Sequence, residues 1–327
     1  VYCQVPGTGR IYEDEWNGIE RVNIPIESEG WLGTSRFDLV SIRHACRFQD
    51  VCLTFGYNTA IFNLLQRIKG IPNIINMDGI EWSRSRWGKF RQLILYLNER
   101  IACVIGDCLI ADHPEIEAYL LGKASREKLV TITYGADAVY SANESFCTDH
   151  GLQPGRFLTL IARPIPENSI LEIVRGFSIR ERGYKLVILG RYLPESDSYH
   201  REVMTAASDE VIFLGPIYEP DVVQALRYHS IGYAHGHTVG GTNPSLVEAM
   251  AAGNPVIAHD NVYNRWVAGS AALYFDGPDS VDERISRLLK NDDLRDDMSQ
   301  AARKRHSAEF TWEIIGKQYE EVLNKYV

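Results

Sequence analysis

The sequence predicts an α/β protein of two domains, each built on a parallel sheet. Three observations carry this. Short apolar segments alternate with helix-period segments over nearly all of the 327 residues, the rhythm of strand–helix units wound into parallel sheets. The length exceeds what one hydrophobic core ordinarily serves. The composition, 45% hydrophobic and 24% charged, is that of an ordinary globular chain.

Taken in order, Val1-Tyr2-Cys3-Gln4 already reads as a strand, and further strands fall at 21–24, 51–55, 73–77, 108–111 and 129–133. Helical periodicity occupies 37–48, 59–68, 90–104 and 114–121 between them. A polar stretch from Gly135 to Gly155 with few long apolar runs marks a junction. The rhythm then resumes, with strands at 157–162, 185–189, 211–214, 232–234, 256–258 and 273–275. Phe310-Thr311-Trp312 leads into a last helical pattern over 314–326. Two facing sheets of this kind make a cleft, with ligands at the carboxyl ends of the strands. Gly7-Thr8-Gly9 lacks the third glycine and the following helix of a dinucleotide fingerprint.

Several function classes are disfavoured. A net charge of −9, from 34 basic and 43 acidic residues, argues against a dedicated nucleic-acid binder. Cys3, Cys46, Cys52, Cys103, Cys108 and Cys147 form no CxxC pair and no zinc-like spacing with histidine, so they read as reduced thiols of a cytosolic enzyme. The most apolar window, 93–111, is interrupted by Asn98, Glu99, Arg100 and Asp107, too polar to span a bilayer.

The most informative stretch runs from His235 to Pro255, HGHTVGGTNPSLVEAMAAGNP. Thr242 or Asn243 can cap a helix in which Pro244 takes the first turn, where its missing N–H costs nothing. Gly240 and Gly241 let an anion approach the backbone, and the helix start adds partial positive charge. Glu248, about one turn inside, can bind a pair of sugar hydroxyls. Phosphate at the helix start and a diol at the next turn together read as a nucleotide-sugar site; the turn alone also suits an ordinary capped helix. His237 is placed to hydrogen-bond the donor sugar or phosphate, whereas His235 and His237 alone do not make a metal site.

This stretch resembles the C-terminal signature of retaining GT-B glycosyltransferases of family 4, in the run SLVEAMAAG followed by PVIA. The GGTNPSLVEAM run is most similar to a subgroup of bacterial rhamnosyltransferases of surface-polysaccharide assembly. The family places a Glu where this chain has Gly240, which touches donor identity and catalytic detail. IARPIPEN (161–168) resembles the family's GRLxxEK segment: Arg163 takes the position that neutralises the pyrophosphate, while Asn168 replaces a Lys and Arg191 offers a substitute charge. Arg163 can also be a plain surface residue at a strand end. FLGPIY (213–218) resembles the region that holds the nucleotide base, with Ile217 and Tyr218 against it, although Tyr218 equally suits helix-start packing. Tyr134-Gly135-Ala136-Asp137 matches the family's interdomain NGVD with Tyr for Asn.

In the first domain NMDGIEW (76–82) is similar to the subgroup's DGxEW run. It makes Asp78 and Glu81 catalytic candidates, with Asp78 orienting or deprotonating an acceptor hydroxyl. The other reading is a turn at Asp78-Gly79 and a first-turn carboxylate at Glu81. Arg84, Arg86, Lys89 and Arg91, interleaved with Trp82, Trp87 and Phe90, make 82–91 either a peripheral membrane contact or a solvated helix entry with its aromatics turned inward.

The resemblance therefore implies a GT-B fold, two Rossmann-like domains facing a central cleft. The expected division is 1–137 on the acceptor side, 138–309 for the nucleotide sugar, and 310–327 crossing back. It also implies a strand–helix unit of roughly 30 residues before Val1, contributing to the acceptor and phosphate site. The implied activity moves a hexosyl or deoxyhexosyl group from a nucleotide-diphosphate sugar to a lipid-linked or oligosaccharide acceptor with retention. No metal and no nucleic acid take part. Arg163 and the helix start near Asn243 stabilise the departing diphosphate. The implied location is the cytoplasm, at the inner face of the membrane. A nucleotide-sugar 2-epimerase and a nucleotide-binding subunit without turnover are the rival readings.

Overall fold

The computed structural model describes every residue but Ser85, and the chain divides into two compact units. One comprises Val1–Ile132 with Tyr319–Val327, the other Thr133–Gln318. The helix Trp312–Leu323 thus begins in the second unit and ends in the first.

The first unit carries β1 (Tyr2–Pro6), β2 (Tyr12–Trp16), β3 (Ile19–Ile26), β4 (Cys52–Phe55), β5 (Asn73–Asn76), β6 (Cys108–Ala111) and β7 (Leu129–Thr131). β4 to β7 form a four-stranded parallel sheet in chain order. β5 and β6 are buried along their whole length, and Ile74, Ile75, Leu109 and Ile110 are inaccessible to solvent. Strands buried on both faces read as near-continuous apolar runs, as β6 does, while β5 keeps only an Ile74-Ile75 centre between two buried asparagines. β1 pairs in parallel with β3 in a separate three-stranded sheet, and β2 pairs with β3 as a hairpin. The hairpin turn is Asn17-Gly18, both with positive φ, as a two-residue connection between twisted strands requires. Sequence analysis places no strand at β2, whose five residues are all exposed. Between β1 and β4 lies a cavity of about 600 Å³ lined by Tyr2, Asp38, Thr54 and Thr59.

The second unit is one six-stranded parallel sheet of β8 (Phe157–Ile161), β9 (Lys185–Leu189), β10 (Val211–Gly215), β11 (Gly232–His235), β12 (Val256–His259) and β13 (Ala272–Phe275). All six match the expected strands to within one residue at either end. Their order is β10-β9-β8-β11-β12-β13. The chain winds outward from β8 in one direction and, starting at β11, in the other. This is the doubly wound order whose reversal opens a crevice at the carboxyl ends of the two central strands. One face of the sheet packs on the helix Ile170–Ser178 through Ile170, Ile173, Val174 and Phe177. The other packs on the helix Pro244–Ala251 through Leu246, Val247 and Met250. Burying each such side chain contributes about 1.5–3 kcal/mol, so both helices bracketing the reversal are firmly seated. Among the described residues no helix is long and apolar enough to cross a membrane, and all six cysteines are free thiols.

Candidate active site

The site grows from the loops that leave β8 and β11, neighbours at the reversal of strand order. After β11 the chain runs through Gly236, His237 and Thr238 to the Gly240-Gly241 turn, and then enters the helix Pro244–Ala251. Asn243 is the N-cap: its side-chain oxygen accepts from the Ser245 amide at 3.2 Å and from the Ser245 hydroxyl at 2.9 Å. Its carbonyl takes the amides of Leu246 and Val247. Pro244 stands at the first helical position, where no N–H is needed. The cap thus consumes amides that sequence reasoning reserves for an anion. The amides of Gly240 and Gly241 donate to no protein group among the described residues. Gly240 holds φ at 119°, a value that admits glycine and few other residues.

The loop after β8 carries Arg163, whose side chain is exposed. Asn168, the residue standing where the resemblance expects a lysine, is buried and turned inward. Its amide donates to the Arg163 carbonyl at 2.8 Å and so closes the loop that presents the guanidinium. The two loops are clasped together. The amide and hydroxyl of Thr238 both donate to the Glu167 carbonyl, at 2.9 and 3.0 Å. A Cβ at Gly236 would stand 2.0 Å from the Asn168 carbonyl oxygen, so only glycine lets these backbones approach. Arg163 and the glycine turn are in this way brought to one edge of the sheet.

Glu248 lies one turn into the helix and pairs with Arg227, which is almost wholly buried on the helix Pro220–Tyr228. The ion pair engages one oxygen, Oε2, of a carboxylate whose side chain stays 43% exposed. Thr242 is buried beneath the turn. His237 is fixed through its carbonyl, which accepts from the side chains of Asn261 and Asn264, each at 3.0 Å. Its ring stacks on that of His235 at 4.4 Å between centroids. His235 is 1% exposed and, among the described residues, neither ring nitrogen has a partner. Burial, with His237 and His259 nearby, pushes its pKa well below the usual histidine value, so the ring is neutral.

The remaining candidates are placed less tightly. Ile217 packs into the core beside Leu214 and Val222, while Tyr218 projects from the loop after β10 and is 84% exposed. Ile217 is therefore committed to packing, and the Tyr218 ring is free to stack on a flat ligand. Arg191 is exposed after β9. In the first unit Asp78 follows β5 with its side chain exposed and φ at 50°, its amide held by the Asn76 side chain at 2.9 Å. Glu81 differs from the catalytic role given to it. Its buried carboxylate is enclosed by Arg84, Arg86 and the Trp87 indole, and its amide donates to Tyr57. A carboxylate held on both oxygens anchors the turn and cannot serve as a mobile base. In 82–91, Trp82 donates to Glu99 and Tyr119, so two indoles and two guanidiniums are spent inside this unit. Ser85 lies outside the described residues.

Comparison with known proteins gives this geometry a context. Residues 173–321 match a family model described as glycosyl transferase-like, and residues 51–137 match a domain of unknown function (DUF1972). The capsular polysaccharide biosynthesis glycosyltransferase CapM of Staphylococcus aureus is 22% identical over 73% of this chain and 67% of its own. Two solved structures share the fold at 15% identity. Sucrose-phosphate synthase of Thermosynechococcus elongatus covers 97% of this chain and 86% of its own with a TM-score of 0.79. Anabaena Alr3699/HepE, solved with UDP-glucose, covers 94% and 86% with a TM-score of 0.76. The chain has a GT-B fold, and its residues 173–321 are glycosyl transferase-like.

Several residues that build the candidate site are not among those the sequence singles out. Arg227 carried a signal, since a lone cation after Ala225-Leu226 falls on the buried side of its helix. Asn261 carried another, as the N-cap residue ahead of the helix Val262–Ala268. The clasp between Thr238 and Glu167 runs through a backbone carbonyl, and no residue type announces that.

Proposed function

We propose that this chain transfers a hexosyl or deoxyhexosyl group, rhamnosyl being the first candidate, from a nucleotide-diphosphate sugar to a saccharide hydroxyl. The transfer proceeds with retention, in the manner of the family 4 enzymes its signature resembles. One observation carries the reading: the Arg163 loop and the Gly240-Gly241 turn are clasped side by side at the reversal of strand order. A permanent cation and unengaged amides there suit a diphosphate. Glu248, oriented by Arg227, takes the ribose diol on the oxygen that the ion pair leaves open. Tyr218 stacks on the base, and His237 faces the sugar.

Charge develops on the departing diphosphate as the glycosidic bond breaks. Arg163 and the glycine amides meet it without reorganisation, and the capped helix adds only the partial positive charge of its N-terminus, so the reaction needs no metal. Asp78, exposed and fixed by its backbone, is assigned to the acceptor hydroxyl, and Glu81 to holding the turn beside it. The likeness to CapM supports polysaccharide assembly as the setting, with a lipid-linked or oligosaccharide acceptor on the cytoplasmic face. HepE, solved with UDP-glucose, supports a nucleotide sugar as donor.

The test is a thermal-shift screen of UDP-, GDP- and dTDP-sugars, followed by turnover of the best binder with and without saccharide acceptors. Glu248→Ala is expected to weaken donor binding by about tenfold or more, the loss of a charged hydrogen-bond acceptor. Unchanged affinity removes the ribose role. Donor consumed with no acceptor present points instead to epimerisation. Binding without any turnover points to a subunit that lost activity with the changes at Gly240 and Asn168.

A further inference from the structure

The helix Lys89–Ile105 buries one side through Leu95, Ala102 and Cys103 and leaves the opposite side to solvent. On that open side lie Phe90, Leu93, Leu97 and Val104, respectively 76%, 54%, 50% and 67% exposed. Their spacing of three, four and seven residues keeps them in one stripe along the axis. A second exposed apolar pair, Trp31-Leu32, lies near the N-terminal end of the same helix, where the Arg91 guanidinium sits 5.9 Å from the Trp31 ring centroid. A soluble helix ordinarily turns such a stripe to the core. Here it faces outward over about four turns.

The helix's own charges beside the stripe are of one sign, whereas the exposed Glu27 and Glu29 precede Trp31. At 100° per residue Lys89 and Arg100 fall along one flank, while Arg91 lies about 130° round the helix from the stripe and reaches Trp31 instead. The helix has one carboxylate, Glu99, which is 1% exposed and spent on Lys123, Tyr119 and Trp82. In a chain of net charge −9, this face is locally cationic and apolar together. We propose that it docks the first unit onto an anionic lipid bilayer, with the helix lying in the plane of the interface. Phe90, Leu93, Leu97 and Val104 enter the acyl boundary, Trp31 sits at headgroup depth, and Lys89, Arg91 and Arg100 reach back to lipid phosphates. The residues that meet the membrane thus belong to this helix and to Trp31-Leu32, more than to Arg84, Arg86 and Trp87, which are paired with Glu81. The inference stands apart from the transfer reading, because docking needs no donor.

The experiment is flotation of the whole chain, without nucleotide, with phosphatidylcholine vesicles and with vesicles containing phosphatidylglycerol. Binding is expected to the anionic vesicles and to weaken with added salt. The double variant Leu93→Ser/Leu97→Ser should lower the partition coefficient about tenfold or more, and Arg91→Glu by about fivefold. These positions are exposed, so the circular-dichroism melt should not move, and donor-induced thermal shifts should persist. Three outcomes overturn the proposal: no preference for anionic vesicles, equal flotation of the double variant, or a wild-type oligomer by light scattering that the same variant dissociates. The last would assign the stripe to a second protein copy.

Discussion

Arg227 and Glu248 set the smallest scale of the proposed donor site. The guanidinium is almost wholly buried while the carboxylate is half open to solvent, so the pair acts as a rigid mount for the Glu248 oxygen left unpaired. Arg227→Ala strands Glu248 without its support, and Arg227→Lys keeps the charge but loses the planar fork. Both are expected to raise the dissociation constant for a nucleoside diphosphate by about tenfold, measured by titration calorimetry on protein shown to be folded. An affinity unchanged in Arg227→Ala would mean that the carboxylate needs no mount. His235 offers a second test. Its folded pKa is depressed by burial, so below the unfolded value of about 6.5 the unfolded chain binds a proton that the native chain refuses. Stability conferred by the neutral ring is present above that pH and drains away as the pH falls, by up to ~1.4 kcal/mol per unit. His259 and His306, also lowered chiefly by burial, add in the same direction. His235→Leu removes two unpaired nitrogens and one of these protons. Urea midpoints from pH 7.5 to 5 should therefore fall less steeply in the variant, and parallel slopes would refute the assignment.

Elements matter here through the loops they hold together. The β8 and β11 loops are joined by Thr238 on the Glu167 carbonyl, with Gly236 passing close against Asn168. Gly236→Ala puts a methyl group 2.0 Å from a backbone oxygen, and neither chain can yield without opening the clasp. An expected loss of about 2–4 kcal/mol in unfolding free energy, with a larger loss of donor affinity than Glu248→Ala gives, would place the clasp upstream of every ligand contact. A stability within experimental error of wild type would show that the loops move apart freely. This level also shows where the sequence could and could not be read. The six strands of the second unit were legible because each is a short apolar run beside turn residues, the four inner ones being buried over most of their length. The capped helix at Asn243 was legible because caps, Pro and Gly act through their own local chemistry. β2 was passed over although Asn17-Gly18 is a strong hairpin signal, since its exposed residues YEDEW show no apolar alternation. The first long helix begins at Gly30, well before the expected 37, because Trp31 and Leu32 face solvent and blur the periodicity. Glu81 could be seen as a carboxylate after a strand, but its enclosure by Arg84, Arg86 and Trp87 depends on how a turn folds back, which spacing does not encode. For Asn168 the missing lysine was visible, and its service as the Arg163 loop's internal tie was not.

At the scale of the molecule, the chain leaves the first unit at Ile132 and returns to it at Tyr319. The return is pinned by polar contacts: the buried Asn76 side chain donates to the Tyr319 hydroxyl at 3.0 Å, and the Tyr326 hydroxyl donates to the Asp107 carbonyl at 3.1 Å. The proposed donor contacts, Arg163, Gly240, Gly241 and Glu248, all belong to the second unit. Ligand binding and the C-terminal return should therefore act on different cores. Tyr319→Phe leaves a buried amide N–H without its acceptor, costing about 1–2 kcal/mol, and that cost falls on the first unit. A nucleoside diphosphate at a hundred times its dissociation constant adds about 2.7 kcal/mol, and that gain falls on the second. Differential scanning calorimetry can read both. If the units melt separately, Tyr319→Phe lowers one transition, nucleotide raises the other, and the nucleotide affinity of the variant equals that of wild type. If the shared helix Trp312–Leu323 couples the two cores, one transition is seen and both perturbations move it. A nucleotide affinity that drops in Tyr319→Phe would contradict a donor site confined to the second unit, and would require residues of the first unit among its contacts.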